Sequence, residues 1–118
     1  PYAKTNIIQL KDGQISEISI DPKSLNINAE RFENLVGNDA KFNAKKMIEI
    51  FKGQDGDFSK AVCLNAAAGL IVVEKFSEFI EAYNYAREHI LSGKSFHHLE
   101  KLQNVWKYIA KNNKKEKK

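Results

Sequence analysis

The side chains best suited to chemistry in this sequence are three histidines and one cysteine. His97 and His98 are adjacent, so they would point about 100° apart on a helix, and His89 lies eight residues before them. Because a zinc site needs three or four convergent ligands, this spacing predicts solvated or capping histidines and no metal site. Cys63 lies in an apolar run, which predicts a small buried hydrophobe, since reactive thiols occupy partly exposed, electropositive surroundings.

Asn65 is the one amide side chain in the most apolar run of the sequence, residues 61–73. A buried amide costs free energy unless it finds hydrogen-bond partners, so we expect Asn65 to bind a neighbouring loop from inside the core. The sequence has no glycine-rich dinucleotide motif, no P-loop and no serine nucleophile elbow. We therefore predict no catalytic, cofactor-binding or metal-binding residue in this chain.

The apolar run 61–73 predicts the element around which the others pack. A helix that is apolar on every side has no solvent face, so we expect residues 58–75 to form a buried helix that Asp57 caps. Its apolar run of 13 residues is shorter than the roughly 20 that crossing a bilayer requires, so no membrane association is predicted.

The remaining pattern predicts one β-hairpin followed by four α-helices. Asp12-Gly13 separates two β-rich runs, residues 5–10 and 14–20, and this dipeptide is a strong hairpin signal. Ile15 is out of phase with Ile18 and Ile20, which suggests a bulge near Ser16. Besides the apolar helix, three amphipathic helices are expected. They cover residues 40–52 between Asp39 and Gly53, residues after Ser77 up to Gly93, and a last stretch from Phe96 to the lysine-rich end.

The net charge of +4 comes from the end of the chain. Residues 111–118 hold five lysines and one glutamate, and without them the chain is neutral. We interpret 111–118 as a disordered, solubilising tail after a folded part, residues 1–110, with weak binding to nucleic acid or an acidic partner as the alternative. The neutral body gives no basis for a nucleic-acid face.

The start of the sequence bears on its origin. The chain begins Pro1-Tyr2, and its only methionine is Met47, so we expect an excerpt of a longer polypeptide or a processed product. Neither a signal peptide nor a second cysteine is present, which favours a cytoplasmic protein.

Several short runs follow one another along the chain: LKDGQI at 10–15, LVGND at 35–39, LNAAAGL at 64–70, ARE at 86–88, SGK at 92–94 and LEKL at 99–102. Their order and spacing resemble the C-terminal third of anthranilate phosphoribosyltransferases. Coverage extends to about Val105. Asn26 and Asn38 stand where that family tends to have glycine, and asparagine tolerates the left-handed backbone that such glycines often adopt.

The resemblance implies part of an α/β catalytic domain. Enzymes of this family, which is related to thymidine phosphorylase-type enzymes, join anthranilate to the ribose of phosphoribosyl diphosphate with Mg²⁺ in tryptophan biosynthesis. The family's diphosphate loop, anthranilate contacts and Asp-Glu pair for Mg²⁺ lie upstream of the matched part, so none is carried over to this chain. The resemblance therefore implies a non-catalytic, structural segment whose main partner is the remainder of the catalytic domain.

An independent reading of the sequence remains open beside the resemblance. The chain could be a stand-alone α+β interaction module whose basic tail binds an acidic partner. Either way, a hairpin of two strands leaves unpaired backbone groups at its outer edge. We therefore expect the isolated chain either to self-associate or to be a loosely packed monomer with low amide protection in residues 5–20.

Overall fold

The computed structural model describes residues 3–116 and confirms the predicted hairpin followed by four α-helices. Two short 3-10 helices, Pro22–Leu25 and Phe32–Leu35, lie in the connection between hairpin and helices. The regular elements are β1 (Thr5–Lys11), β2 (Gln14–Ile20), α1 (Ala40–Phe51), α2 (Asp57–Val72), α3 (Phe79–Leu91) and α4 (Lys94–Glu116).

The hairpin turns at Asp12 and Gly13, as predicted. Both residues have left-handed backbones, with φ of 52° and 74°, the conformation that a two-residue type I′ turn requires. The pairing runs without interruption from Thr5↔Ile20 to Lys11↔Gln14, so the bulge predicted near Ser16 is wrong. Ile15 is out of phase simply because it lies on the opposite face of β2 from Ile18 and Ile20.

Three predicted helix boundaries are confirmed, and two predicted helix caps are wrong. The Asp39 side chain accepts a hydrogen bond from the Phe42 N–H at 2.8 Å at the start of α1. Gly53 follows α1 with φ of 104°, and Gly93 follows α3 with φ of 89°. Asp57 does not cap α2, because Gly56 holds the cap position and the Asp57 carboxylate binds elsewhere. Ser77 does not cap α3 either, since that helix begins after Glu78 without a side-chain cap bond.

The core lies where α2 packs against α3. Cys63 and Ala67 of α2 and Ala82 of α3 are fully buried, and these small side chains allow the two helices to approach closely. The prediction that α2 is buried on every side is wrong, because Asn65, Gly69 and Val72 are exposed. The buried cluster consists of Ile27, Ile50, Cys63, Ala67, Ala82, Tyr83 and Ile90.

The chain exposes much more surface than its mass predicts. Its accessible surface is 9095 Å², whereas a folded monomer of 13.4 kDa exposes about 6,500 Å². The radius of gyration is 17.6 Å, compared with about 13.5 Å for a compact domain of this length. The elements described here therefore leave surfaces uncovered that a complete domain of this size would bury.

Helix α4 contributes to this excess surface. Its first turns contact α1 and α3, but its later turns carry an exposed apolar stripe in which Trp106 is 67% exposed. The helix continues to Glu116, so it extends into the predicted disordered tail, and Lys117 and Lys118 lie outside the described residues. Lysine and glutamate are good helix formers, and lengthening a helix costs much less free energy than starting one.

Membrane crossing finds no support in this fold. None of the helices within residues 3–116 is both long and apolar enough to span a bilayer.

Candidate functional site

The most highly connected polar side chain is the carboxylate of Asp57, at the first residue of α2. It accepts hydrogen bonds from the Glu30 N–H at 3.0 Å, the Arg31 N–H at 3.2 Å and the Asn34 side-chain amide at 2.9 Å. The Lys60 ammonium lies 3.6 Å away, one turn along α2. We call this arrangement the Asp57 clamp, since it ties the long connection between hairpin and α1 to the start of α2.

The electrostatics of the clamp explain how a buried carboxylate is tolerated. The Asn34 amide, together with the Glu30 and Arg31 N–H groups and the Lys60 charge, lowers the pKa of Asp57 from 3.8 to about 2. The Lys60 ammonium also donates to the Asn28 carbonyl oxygen at 2.6 Å, which holds a second point of the connection. A carboxylate that is ionised at neutral pH and fully hydrogen-bonded is a structural anchor, and not a general acid or base.

A second polar network links α3 to the loop before α2. The Ser59 hydroxyl donates to the Asp55 carboxylate at 2.7 Å, and the Arg87 guanidinium forms an ion pair with the same carboxylate. The Ser59 hydrogen bond, with the contribution of Arg87, lowers the pKa of Asp55. Arg87 is therefore engaged in fixing the α2–α3 arrangement.

Of the predictions for Cys63 and Asn65 in the apolar run, one is confirmed and the other is wrong. Cys63 is fully buried, and burial raises the pKa of its thiol from 9.0 to about 11, so it is the inert hydrophobe that we predicted. The prediction for Asn65 is wrong. Its side chain is exposed and donates to the Ala61 carbonyl oxygen of the preceding turn at 2.9 Å, so it binds no loop.

The three histidines lie apart from one another. His89 stacks on Tyr85 of the preceding turn with ring centroids 6.2 Å apart, and His97 lies 3.6 Å from Glu100 one turn later. Throughout residues 3–116, no three carboxylate, imidazole or thiol groups are arranged to hold a metal ion.

The hairpin presents an uncovered apolar surface. Ile8, Leu10 and Ile15 share one face of the sheet, and they are 77%, 72% and 77% exposed. The edge of β1 also borders a groove of about 740 Å³, whose opposite side is formed by the C-terminal half of α2. These features are typical of a surface that another part of a protein covers.

Comparison with known proteins shows the family of this chain. Residues 1–96 match the family model described as "Glycosyl transferase family, a/b domain". The chain belongs to this glycosyl transferase family.

The relatives of this glycosyl transferase chain are much longer than it is. A protein of Pelagibacter ubique is 70% identical over 105 residues, which cover 89% of this chain and 32% of the relative. A Petrotoga mobilis protein is 31% identical over 107 residues, covering 91% of this chain and 31% of the relative. Both carry the name anthranilate phosphoribosyltransferase. The glycosyl transferase chain spans about a third of the length of these curated relatives, and the resemblance seen in the sequence is confirmed.

Asparagine at position 26 supports the same resemblance at the level of the backbone. Asn26 has φ of 58°, the left-handed conformation that was expected where the family tends to have glycine. Asn38 differs, since it is absent from the left-handed residues and instead exchanges hydrogen bonds with Asn43, at 3.0 and 3.1 Å.

The Asp57 clamp makes the stability of this glycosyl transferase chain depend on pH in the acidic range. Because folding lowers the pKa of Asp57, its stabilising effect is complete above about pH 4 and is lost as the pH falls through about 2. We expect Asp57→Asn to lower the free energy of unfolding at pH 7, since its amide would turn a donor toward the Glu30 and Arg31 N–H groups. The free energy of unfolding of the variant should also fall much less than that of the parent between pH 4 and 2.

Urea unfolding measured at several pH values checks this prediction. The control is Glu17→Gln, which removes an equal charge from the exposed side of β2 and should keep the parent's pH dependence. If Asp57→Asn retained the full decline in stability between pH 4 and 2, the clamp would not be its source.

Proposed function

We propose that this chain is the structural, C-terminal portion of an anthranilate phosphoribosyltransferase-like enzyme and is not catalytic by itself. The parent enzyme would transfer the phosphoribosyl group from phosphoribosyl diphosphate to anthranilate in tryptophan biosynthesis. The observation that carries this proposal is the 70% identity, over 89% of the chain, to the Pelagibacter ubique protein of that name. The same activity is named for the Azospirillum brasilense relative, which is 39% identical over 89 residues.

The role that the structure supports for this portion is to hold other parts of the enzyme in place. The α2–α3 core fixes two rigid helices, and the Asp57 clamp attaches the connection that carries the hairpin. Positioning of catalytic groups within fractions of an ångström depends on such supporting elements. In this proposal the chain therefore acts through packing, with the remainder of the catalytic domain as its partner.

The reacting groups would lie in the part of the enzyme beyond this chain. Mg²⁺, when bound there, would neutralise charge on the diphosphate, and the Asp-Glu pair implied by the resemblance would hold it. The buried, unreactive thiol of Cys63 is compatible with a reducing compartment, and we place the parent enzyme in the cytoplasm.

A chimera tests the proposal. The segment of the Pelagibacter ubique enzyme that matches this chain is replaced by the 118 residues, and phosphoribosyl anthranilate formation is measured. We expect the chimera to form product and the isolated chain to form none above the uncatalysed rate, because the interactions that stabilise the transition state are supplied by the rest of the enzyme. The intact Pelagibacter ubique enzyme is the positive control.

Two outcomes would overturn the proposal. One is product formation by the purified, isolated chain. The other is a chimera that unfolds cooperatively, as the intact enzyme does, but lacks activity.

A further inference from the structure

The groove beside β1 is built along the edge of a strand. Residues 7–12 line it continuously, with side chains from both faces of β1, whereas β2 contributes only Ile20. Its opposite wall is mostly apolar and includes Ala68, Ile71 and Phe79. A groove lined by five consecutive residues of a strand, Ile7 to Lys11, and not by alternate ones, lies beside the strand's edge.

The outer edge of β1 has backbone hydrogen-bonding groups that point away from β2. Lys11 and Gln14 close the two-residue turn as a hydrogen-bonded pair, and the pairs alternate along the ladder from there. Ile8 and Leu10 therefore belong to non-hydrogen-bonded pairs, as does Asn6, and the N–H and C=O groups of these three residues point away from β2. Residues 3–116 hold no third strand that could pair with them.

The dimensions of the groove suit an extended segment. β1 has seven residues, which span about 23 Å at the rise of an antiparallel strand. The groove of about 740 Å³ borders five of these residues, Ile7 to Lys11, and an ion pair between Lys11 and Glu74, 3.7 Å apart, lies at one end. A strand added here would satisfy the β1 edge and lay alternate side chains on the apolar wall of α2 and α3.

Two observations indicate where such a strand comes from. The relatives are about three times as long as this chain, and the matched family model is an a/b domain, in which a sheet of only two strands would be unusual. The chain also exposes about 2,600 Å² more surface than expected for its mass, well above the roughly 800 Å² that one partner buries in a standard interface. The uncovered surface is large enough for the rest of a domain.

We propose that a β-strand from the part of the parent enzyme beyond this chain pairs with the free edge of β1 and fills the groove between β1 and α2. This inference rests on the proposed function, because it assigns the contact through which the remainder of the catalytic domain joins this portion. A second copy of the chain is the competing occupant, since a free strand edge can also pair with its own kind.

Hydrogen exchange, read residue by residue in the chimera and in the isolated chain, tests the assignment. In the chimera the amides of Asn6, Ile8 and Leu10 should exchange about 100-fold more slowly than in the isolated chain, because they gain hydrogen bonds that open only with the sheet. The internal controls are the amides on the free edge of β2, which should change much less. They belong to Ile15, Glu17 and Ser19.

The outcomes separate this inference from the proposed function. An active chimera in which the three β1 amides exchange as fast as those of β2 would overturn the inference alone. An inactive chimera with selective β1 protection would support the inference while contradicting the function. Protection of the β1 edge in the isolated chain that rises with protein concentration would identify a second copy as the occupant and overturn the assignment.

A matched pair of proline variants gives a second readout. Ile8 and Glu17 are opposite each other, both are exposed in the isolated chain, and each has an N–H that is not used within the hairpin. Proline removes that N–H. Ile8→Pro should lower the Tm of the chimera by several degrees more than Glu17→Pro, while the two should have similar effects on the isolated chain. Equal effects in the chimera would contradict pairing at β1.

Discussion

Ile50→Ala is expected to lower the free energy of unfolding of the isolated chain by about 2–5 kcal/mol. Ile50 lies on α1, is 3% exposed, and belongs to the small buried cluster on which the helices pack. Truncating it removes buried methyl groups and leaves a cavity that rigid neighbours fill only in part. The free energy of unfolding of a stable domain is only about 5–15 kcal/mol, and the core of this chain is small. The variant should therefore be largely unfolded at moderate urea concentrations.

Urea unfolding followed by circular dichroism measures this loss. Ile8→Ala makes the same chemical change at a position that is 77% exposed, and it should cost no more than about 0.5 kcal/mol in the isolated chain. Similar losses for the two variants would mean that the helical core is not what stabilises the chain. In the chimera, Ile8→Ala should become more costly if that face of the hairpin is covered.

Ala82→Leu is expected to destabilise the chain by about 1–3 kcal/mol for the opposite reason. Ala82 of α3 is fully buried where α3 meets α2, and Ala67 and Cys63 of α2 are also completely inaccessible. A leucine at this position would have to push the two helices apart or adopt a strained rotamer, because protein interiors are close-packed.

The matched control is Ala110→Leu, which adds the same atoms to an exposed position of α4. Its effect on the urea midpoint should be small. An Ala82→Leu variant as stable as the parent would show that the α2–α3 interface has room that the structure does not indicate.

Local sequence signals predicted the hairpin and the helix ends that depend on neighbouring residues. The Asp12-Gly13 turn is encoded by two positions that need left-handed backbones, and the Asp39 cap reaches only three residues along the chain. Such contacts involve no distant partner, so they are visible in sequence. Ser77 shows the limit, because a good capping residue was available one position too early and the chain entered α3 after Glu78.

Long-range contacts could not be predicted in the same way. Asp57 precedes an apolar run and is therefore typical of a helix cap, yet its partners at Glu30, Arg31 and Asn34 lie 23–27 residues earlier in the chain. No periodicity connects these positions. The polarity of a run also cannot tell which side of a helix has a neighbour, which is why Asn65 was predicted to be buried.

The surroundings of the cysteine and the separation of the histidines were also visible in local sequence. Buried Cys63 and the separated histidines could be judged from spacing and surroundings, without knowledge of the fold. The role of the apolar surfaces of β1 and α4 could not be judged in this way. A stripe of apolar residues has the same sequence pattern whether it faces the chain's own core or another part of an enzyme.

The position of Trp106 determines what intrinsic fluorescence can report. It is the chain's single tryptophan, and it lies on the exposed stripe of α4, away from the buried cluster. Its indole is largely solvated in the folded isolated chain, so urea should change its emission little while circular dichroism records the loss of the helices. A blue shift would instead accompany the covering of α4 in the chimera. Tryptophan emission is thus a spectroscopic signal for assembly, and Tyr83, buried in the core, is the aromatic residue placed to sense unfolding.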